Sequence, residues 1–105
     1  MEITDELVTI GRFPAKEGCE EELAAAMRKA WGPARDEPGN VLIYWFRGVK
    51  NPRLFFVFSV WKDTEAFEIH ADLPHTEELI ETAERLIEHP LDVTRLRLLD
   101  EHGPS

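Results

Sequence analysis

Val41-Leu42-Ile43-Tyr44-Trp45-Phe46 and Leu54-Phe55-Phe56-Val57-Phe58-Ser59-Val60-Trp61 are apolar at nearly every position. A strand turns successive side chains to opposite faces, so runs like these are apolar on both sides of their sheet. An antiparallel sheet with one wet face alternates apolar and polar residues instead. Gly48–Arg53, with its Asn51-Pro52 pair, reads as the hairpin loop between the two runs. One face must therefore lie under helices, and the other needs cover from outside the chain. Exposed apolar patches beyond a few hundred Å² mark interfaces, and burying them contributes roughly 25 cal/mol per Å². The simplest cover is a second copy packed sheet to sheet, so a homodimer is expected. A different partner chain is the alternative.

The flanking segments supply the helices. Leu7–Ala15 reads as a strand, with Pro14 ending its ladder. In Cys19–Arg35, Leu23, Met27, Ala30, Trp31 and Ala34 recur at helical spacing, and Gly32-Pro33 should weaken the last turn. Asp36-Glu37-Pro38-Gly39-Asn40 is a turn before the strand Val41–Arg47. After the strand Leu54–Trp61, Asp63 or Thr64 can cap a short helix carrying Phe67 and His70. Pro74 interrupts that helix and can open the next, Thr76–Glu88, striped by Leu79, Ile80, Ala83, Leu86 and Ile87. Leu91–Leu99 is the fourth strand. The order β-α-β-β-α-β is the ferredoxin-like α+β arrangement, with both crossover helices on one face of a four-stranded antiparallel sheet. The 105 residues make one domain, with a core over about 7–100 and loose ends at Met1–Glu6 and Glu101–Ser105.

Bulk properties exclude several functions. The net charge is −9, and no basic cluster is longer than Arg95-Leu96-Arg97. Nucleic-acid binding rests on Lys and Arg neutralising phosphates, so neither nucleic acid nor an anionic membrane surface is an expected partner. No apolar run approaches the roughly 20 residues needed to cross a bilayer, and no signal peptide is evident, which reads as a cytoplasmic protein. Cys19 is the single cysteine, so no disulfide forms within the chain, and nothing beside it activates its thiol.

Several residues stand out chemically. His70 has a side chain whose ordinary pKa of about 6.5 suits a general base. With His75 it suggests a metal pair, but five residues on a continuous helix turn the chain roughly 140° past a full circle. The rings would not share a face, Pro74 breaks the helix between them, and no recognisable cluster completes a site. No metal is expected. Tyr44, Arg47 and Ser59 are polar groups in apolar strands and need partners or a ligand, since burying them unpaired would cost a few kcal/mol. Arg47 can hold a phenolate or carboxylate, form an intersubunit ion pair, or sit in water. His89 and His102 read as surface residues.

The element order and several motifs together resemble the antibiotic biosynthesis monooxygenase family of dimeric α+β barrels. Thr9-Ile10-Gly11-Arg12-Phe13 with Lys16-Glu17-Gly18 is similar to its first strand and turn. Arg35-Asp36-Glu37-Pro38-Gly39 resembles the turn before its second strand, and Phe56–Trp61 followed by Lys62-Asp63-Thr64-Glu65-Ala66-Phe67 its strand-then-helix pattern. His70-Ala71-Asp72-Leu73-Pro74-His75 matches its His-x3-Pro-His spacing. The resemblance runs from about Val8 to Leu99. It implies a dimeric α/β barrel that oxidises small aromatics or quinols with O₂, without flavin, haem or metal. It places Trp61 at the family's active pocket, so Trp61 and His70 are the catalytic candidates, and Phe67, Tyr44, Arg47 and Ser59 the candidate substrate contacts. The sequence departs from catalytic relatives where they carry an Asn and a Tyr, at Val57 and Phe67. That departure leaves a non-catalytic barrel binding a small apolar ligand as the alternative. The haem-degrading branch would need other residues at Gly11, His70 and Ile80.

Overall fold

A computed structural model describes residues 5–99. His102 and the outer parts of both chain ends lie outside the described residues. The elements run β1 (Leu7–Pro14), α1 (Glu20–Arg35), β2 (Asn40–Arg47), β3 (Leu54–Trp61), α2 (Thr64–Ala71), α3 (Pro74–Leu86) and β4 (Asp92–Leu96). The strands form one four-stranded sheet in the order β2-β3-β1-β4, every neighbouring pair antiparallel. This is the expected ferredoxin-like arrangement.

Register decides which residues face the helices. Thr9 pairs with Ser59, Gly11 with Val57 and Phe13 with Phe55 across β1 and β3. Ile43 pairs with Ser59 and Trp45 with Val57 across β2 and β3. Phe13, Ile43, Phe55, Ser59 and Trp61 on this side are buried, with Trp61 against Phe67 and His70 of α2. The helices contribute Leu23, Met27 and Ala30 from α1 and Leu79, Ala83 and Leu86 from α3 to the same core. The alternate residues face the other way, where no helix lies among the described residues. There Tyr44 and Phe46 are each 52% exposed. The two apolar faces read from β2 and β3 are thus real, and one of them is uncovered by the described residues of the chain.

Several boundaries differ from expectation, each for a local reason. β1 ends at Pro14, and Ala15 makes only an isolated bridge to Ile87. α3 starts at Pro74 rather than Thr76, because proline at the first helical position has a suitable φ and no N–H to waste. It stops at Leu86 because the next backbone groups are tied to the end of β1. The Lys16 N–H donates to the Leu86 carbonyl at 2.7 Å, and the Glu88 N–H to the Pro14 carbonyl at 2.8 Å. β4 is shorter than expected, since it pairs only with Val8–Arg12. Pro33 lies inside α1, yet the helix continues to Arg35, held by the buried Ala34 and by the Asp36 N–H donating to the Gly32 carbonyl at 3.0 Å.

The segment that matters most for the site is the turn before β2. A Cβ on Gly39 would collide with the Cβ of Ala66 in α2, so only glycine allows this close approach. α2 is itself fixed by Asp63, whose side chain accepts from the Ala66 N–H at 2.8 Å. The packing lays Glu37 against the end of α2.

Candidate functional site

A cavity of about 190 Å³ lies between the helices and the inner face of the sheet. Its sheet wall includes Thr9, Gly11, Val57 and Ser59, and its helix wall includes Phe67 and His70. Gly11 keeps that space open, since a Cβ there would already stand 3.2 Å from the Phe13 ring. The wall carries no Lys, Arg, Asp or Glu; its polar side chains are hydroxyls, two imidazoles and the indole of Trp45, whose buried N–H has no partner among the described residues.

The imidazoles are organised by a residue that reads in the sequence as a turn. Glu37 Oε2 lies 2.7 Å from His70 Nδ1 and 2.7 Å from His75 Nε2. Its side chain is only 7% exposed. The Thr76 hydroxyl stands 3.2 Å from the same His70 nitrogen. A carboxylate accepts, so the partner nitrogen of His70 is the protonated one, and its neutral ring carries the lone pair on Nε2. Nε2 has no hydrogen-bond partner among the described residues. Burial pushes the His70 pKa below its ordinary 6.5, against the opposing pull of the Glu37 hydrogen bond and charge, with the neighbouring His75 adding to the depression. The result is a neutral imidazole with one nitrogen held by a carboxylate and the other free on a cavity wall. That is the arrangement of an oriented general base.

Bringing His70 and His75 together corrects the sequence-based expectation that their rings diverge. A turn of roughly 140° would hold only on one continuous helix. The chain instead leaves α2 at Asp72 and restarts at Pro74, and the two ring centroids come within 6.1 Å. With Glu37 they place three ligand-type atoms within 4.8 Å of one another. Both nitrogens lie at hydrogen-bond length from one oxygen, which is the geometry of two N–H donors on a carboxylate.

Trp61 stands behind the site. It is fully buried, and its ring centroid lies 4.4 Å from that of His70. Its indole N–H donates to Ser59 Oγ at 3.0 Å, and Ser59 Oγ lies 2.6 Å from Thr9 Oγ1. Trp61 is absent from the cavity wall, so its contact is with His70 and Ser59 and not with the cavity contents. Phe67 and Ser59 do line the cavity with His70.

Tyr44 and Arg47 do not join them. Tyr44 lies on the uncovered face of the sheet beside Phe46, because its register puts it out of phase with Ile43 and Trp45. Arg47 sits at the far end of β2 in a separate groove with Trp31 and Trp45. Its guanidinium donates to Glu21 at 2.9 Å and to the Pro52 carbonyl at 2.6 Å, over the Phe55 ring. Arg47 thus has partners within the chain and is absent from the cavity wall. Glu37, Thr9 and Thr76 are the site residues that sequence reasoning missed. The available signal was an acidic residue directly before Pro38-Gly39 in a turn too tight to face water freely.

The sequence pattern of the family described as antibiotic biosynthesis monooxygenase matches residues 7–82. The chain belongs to this family. An uncharacterised Synechocystis protein is 26% identical over 89 residues, covering 85% of this chain. The chain spans 60% of the length of that curated relative. Rv0793 of Mycobacterium tuberculosis superposes with a TM-score of 0.86 at 22% identity, over 93% of this chain and 99% of that one. A Nitrosomonas europaea protein that carries the family's name gives 0.87 at 19% identity, over 98% and 99%. At such identities these likenesses show the fold. Among the described residues no helix is long and apolar enough to cross a membrane.

Proposed function

We propose that this antibiotic biosynthesis monooxygenase family member oxygenates a small, uncharged aromatic or quinol with O₂, using no cofactor. The observation that carries the reading is His70, neutral and held by Glu37 at 2.7 Å, on the wall of an apolar cavity. A phenolic substrate gives its O–H proton to His70 Nε2, and Glu37 stabilises the imidazolium through Nδ1–H. The electron-rich anion then reacts with O₂ at ring carbon, and loss of water gives the quinone: one phenol and one O₂ become one quinone and one water. The dry wall favours the step by leaving the anion poorly solvated. Oxygen consumption by the purified protein on a panel of naphthols and hydroquinones, in flavin-free and chelator-treated buffer, tests it. One O₂ consumed per quinone, lost in His70→Ala, is expected; uptake equal to buffer alone sinks the reading.

A second reading has its own observation. Val57 and Phe67, where catalytic relatives carry polar groups, both line the cavity. A barrel that holds an apolar ligand without turning it over would show binding with no O₂ uptake.

The same proposal includes a homodimer through the uncovered sheet face. What supports it is the exposure of Tyr44 and Phe46 on β2, with Leu96 of β4 41% exposed on the same side.

A further inference from the structure

The Thr9 and Ser59 hydroxyls sit at the bottom of the cavity, each residue only 3% exposed. Their protons can be counted. An indole N–H is a donor only, so Ser59 Oγ must accept from Trp61. The two hydroxyls hold two protons, and one of them lies in the 2.6 Å bond between the oxygens. The other has no acceptor among the described residues, whichever way the pair is oriented. One buried O–H donor is therefore left over, on a wall that is mostly aliphatic and aromatic carbon apart from the imidazoles, Thr76 and the Trp45 indole N–H, which also lacks a partner among the described residues. Leaving such a donor unsatisfied is costly, so a ligand oxygen fits there. Trp61 relates this donor to the base: its ring packs on His70 at 4.4 Å while its N–H meets Ser59. The two polar points are thus separated by one indole.

We propose that the Thr9–Ser59 hydroxyl pair is a second polar anchor of the cavity, donating to a carbonyl or quinol oxygen of a ligand whose acidic hydroxyl meets His70. The proposal rests on the cavity being the ligand site and names the ligand class: aromatics with two oxygens and no ionised substituent. Hydroxyaryl ketones, quinols and hydroxyquinones belong to it. Simple phenols lack the second oxygen, and aryl carboxylates or phosphates would meet no Lys or Arg on the wall. A site built to hydrogen-bond a given group discriminates against the analogue that lacks it.

Calorimetric binding of hydroxytetralone and of the matching tetrahydronaphthol, which have the same two rings with and without the carbonyl, tests this without turnover. The wild type should bind the ketone about tenfold more tightly, the usual size of one buried hydrogen bond. Thr9→Val and Ser59→Ala should each keep the preference, because either change leaves one unshared O–H. The double variant should lose it. No preference in the wild type, a preference that survives in the double variant, or binding of neither compound overturns the anchor. If the double variant fails to fold by circular dichroism, the carbonyl infrared band of the ketone bound to wild type decides. It should lie at lower frequency than in hexane, and an unshifted band overturns the proposal. Preference without O₂ uptake leaves the anchor and removes the oxygenase reading. O₂ uptake without preference does the reverse.

Discussion

His70 Nδ1 and Glu37 Oε2 are 2.7 Å apart, although the residues are 33 positions apart in sequence and lie on different elements. The contact selects the tautomer of His70 and leaves Nε2 as the ring's acceptor. Removing the base should therefore cost more than removing the group that orients it. His70→Ala should lower kcat by about 100- to 10,000-fold, the usual range for a general base. Glu37→Gln should lower it by a smaller factor and shift the pH profile as well, because the amide stabilises the imidazolium less. Steady-state O₂ consumption across pH measures both. Equal kcat in wild type and His70→Ala would remove His70 from the mechanism.

The depressed pKa of His70 has a consequence for stability. Between the ordinary value of 6.5 and the lower value in the fold, the unfolded chain binds a proton that the folded chain does not. Stability therefore rises with pH across this window and falls on acidification below about 6.5. Thermal melts from neutral to mildly acidic pH should show this loss in the wild type. They should show less of it in His70→Gln, which keeps a polar side chain without the titration. A window of the same depth in the variant would assign the loss to other groups.

Trp61 should matter to the fold and the site together. Trp61→Phe keeps a ring against His70 but removes the donor to Ser59. It should cost about 1–3 kcal/mol, whereas Trp61→Ala should cost about 3–5 kcal/mol through the cavity it leaves. Denaturant unfolding measures both, and a Phe variant as unstable as the Ala variant would show that the indole N–H matters little beside the ring's shape.

The two glycines at the site predict opposite outcomes. Gly39→Ala pushes a methyl into α2 and should destabilise by about 1–3 kcal/mol. Gly11→Ala directs its methyl at the Phe13 ring and the cavity, so it should weaken ligand binding more than it weakens the fold. Paired melting and binding measurements separate the two effects.

The outer sheet face predicts the oligomeric state. Phe46→Lys should turn a dimer into a monomer by size exclusion with light scattering, since a charge in an apolar interface is poorly tolerated. Arg47→Ala, next in the chain, removes only partly exposed contacts on the other face. It should change stability by about 1 kcal/mol or less and leave turnover unchanged. A wild-type monomer at high concentration would defeat the dimer.

Much of the fold is legible in the sequence because it depends on local rules. The period of apolar residues separates α1 and α3 from the strands. Pro, Gly and Asx residues mark the turns, and Asp63 announces its own helix. The apolarity of both faces of β2 and β3 is visible in Val41–Phe46 and Leu54–Trp61, and among the described residues the structure places one face under helices and leaves the other open. Element ends were less legible. The last residues of α3 answer to Pro14 and Lys16, which are remote in sequence.

The site divides the same way. Sequence alone determined that His70, Phe67, Ser59 and Trp61 belong to one strand-and-helix unit, because their spacing within a short segment brings them together. It determined the apolar content of the interior by composition and period. Only the tertiary structure decided that Glu37 reaches both His70 and His75, that Thr9 completes a hydroxyl pair with Ser59, and that Tyr44 and Arg47 are elsewhere. The physical reason is register and chain reversal. A strand's phase sets which face Tyr44 takes, the break at Pro74 sets where His75 points, and a contact across 33 residues has no periodic trace in the chain.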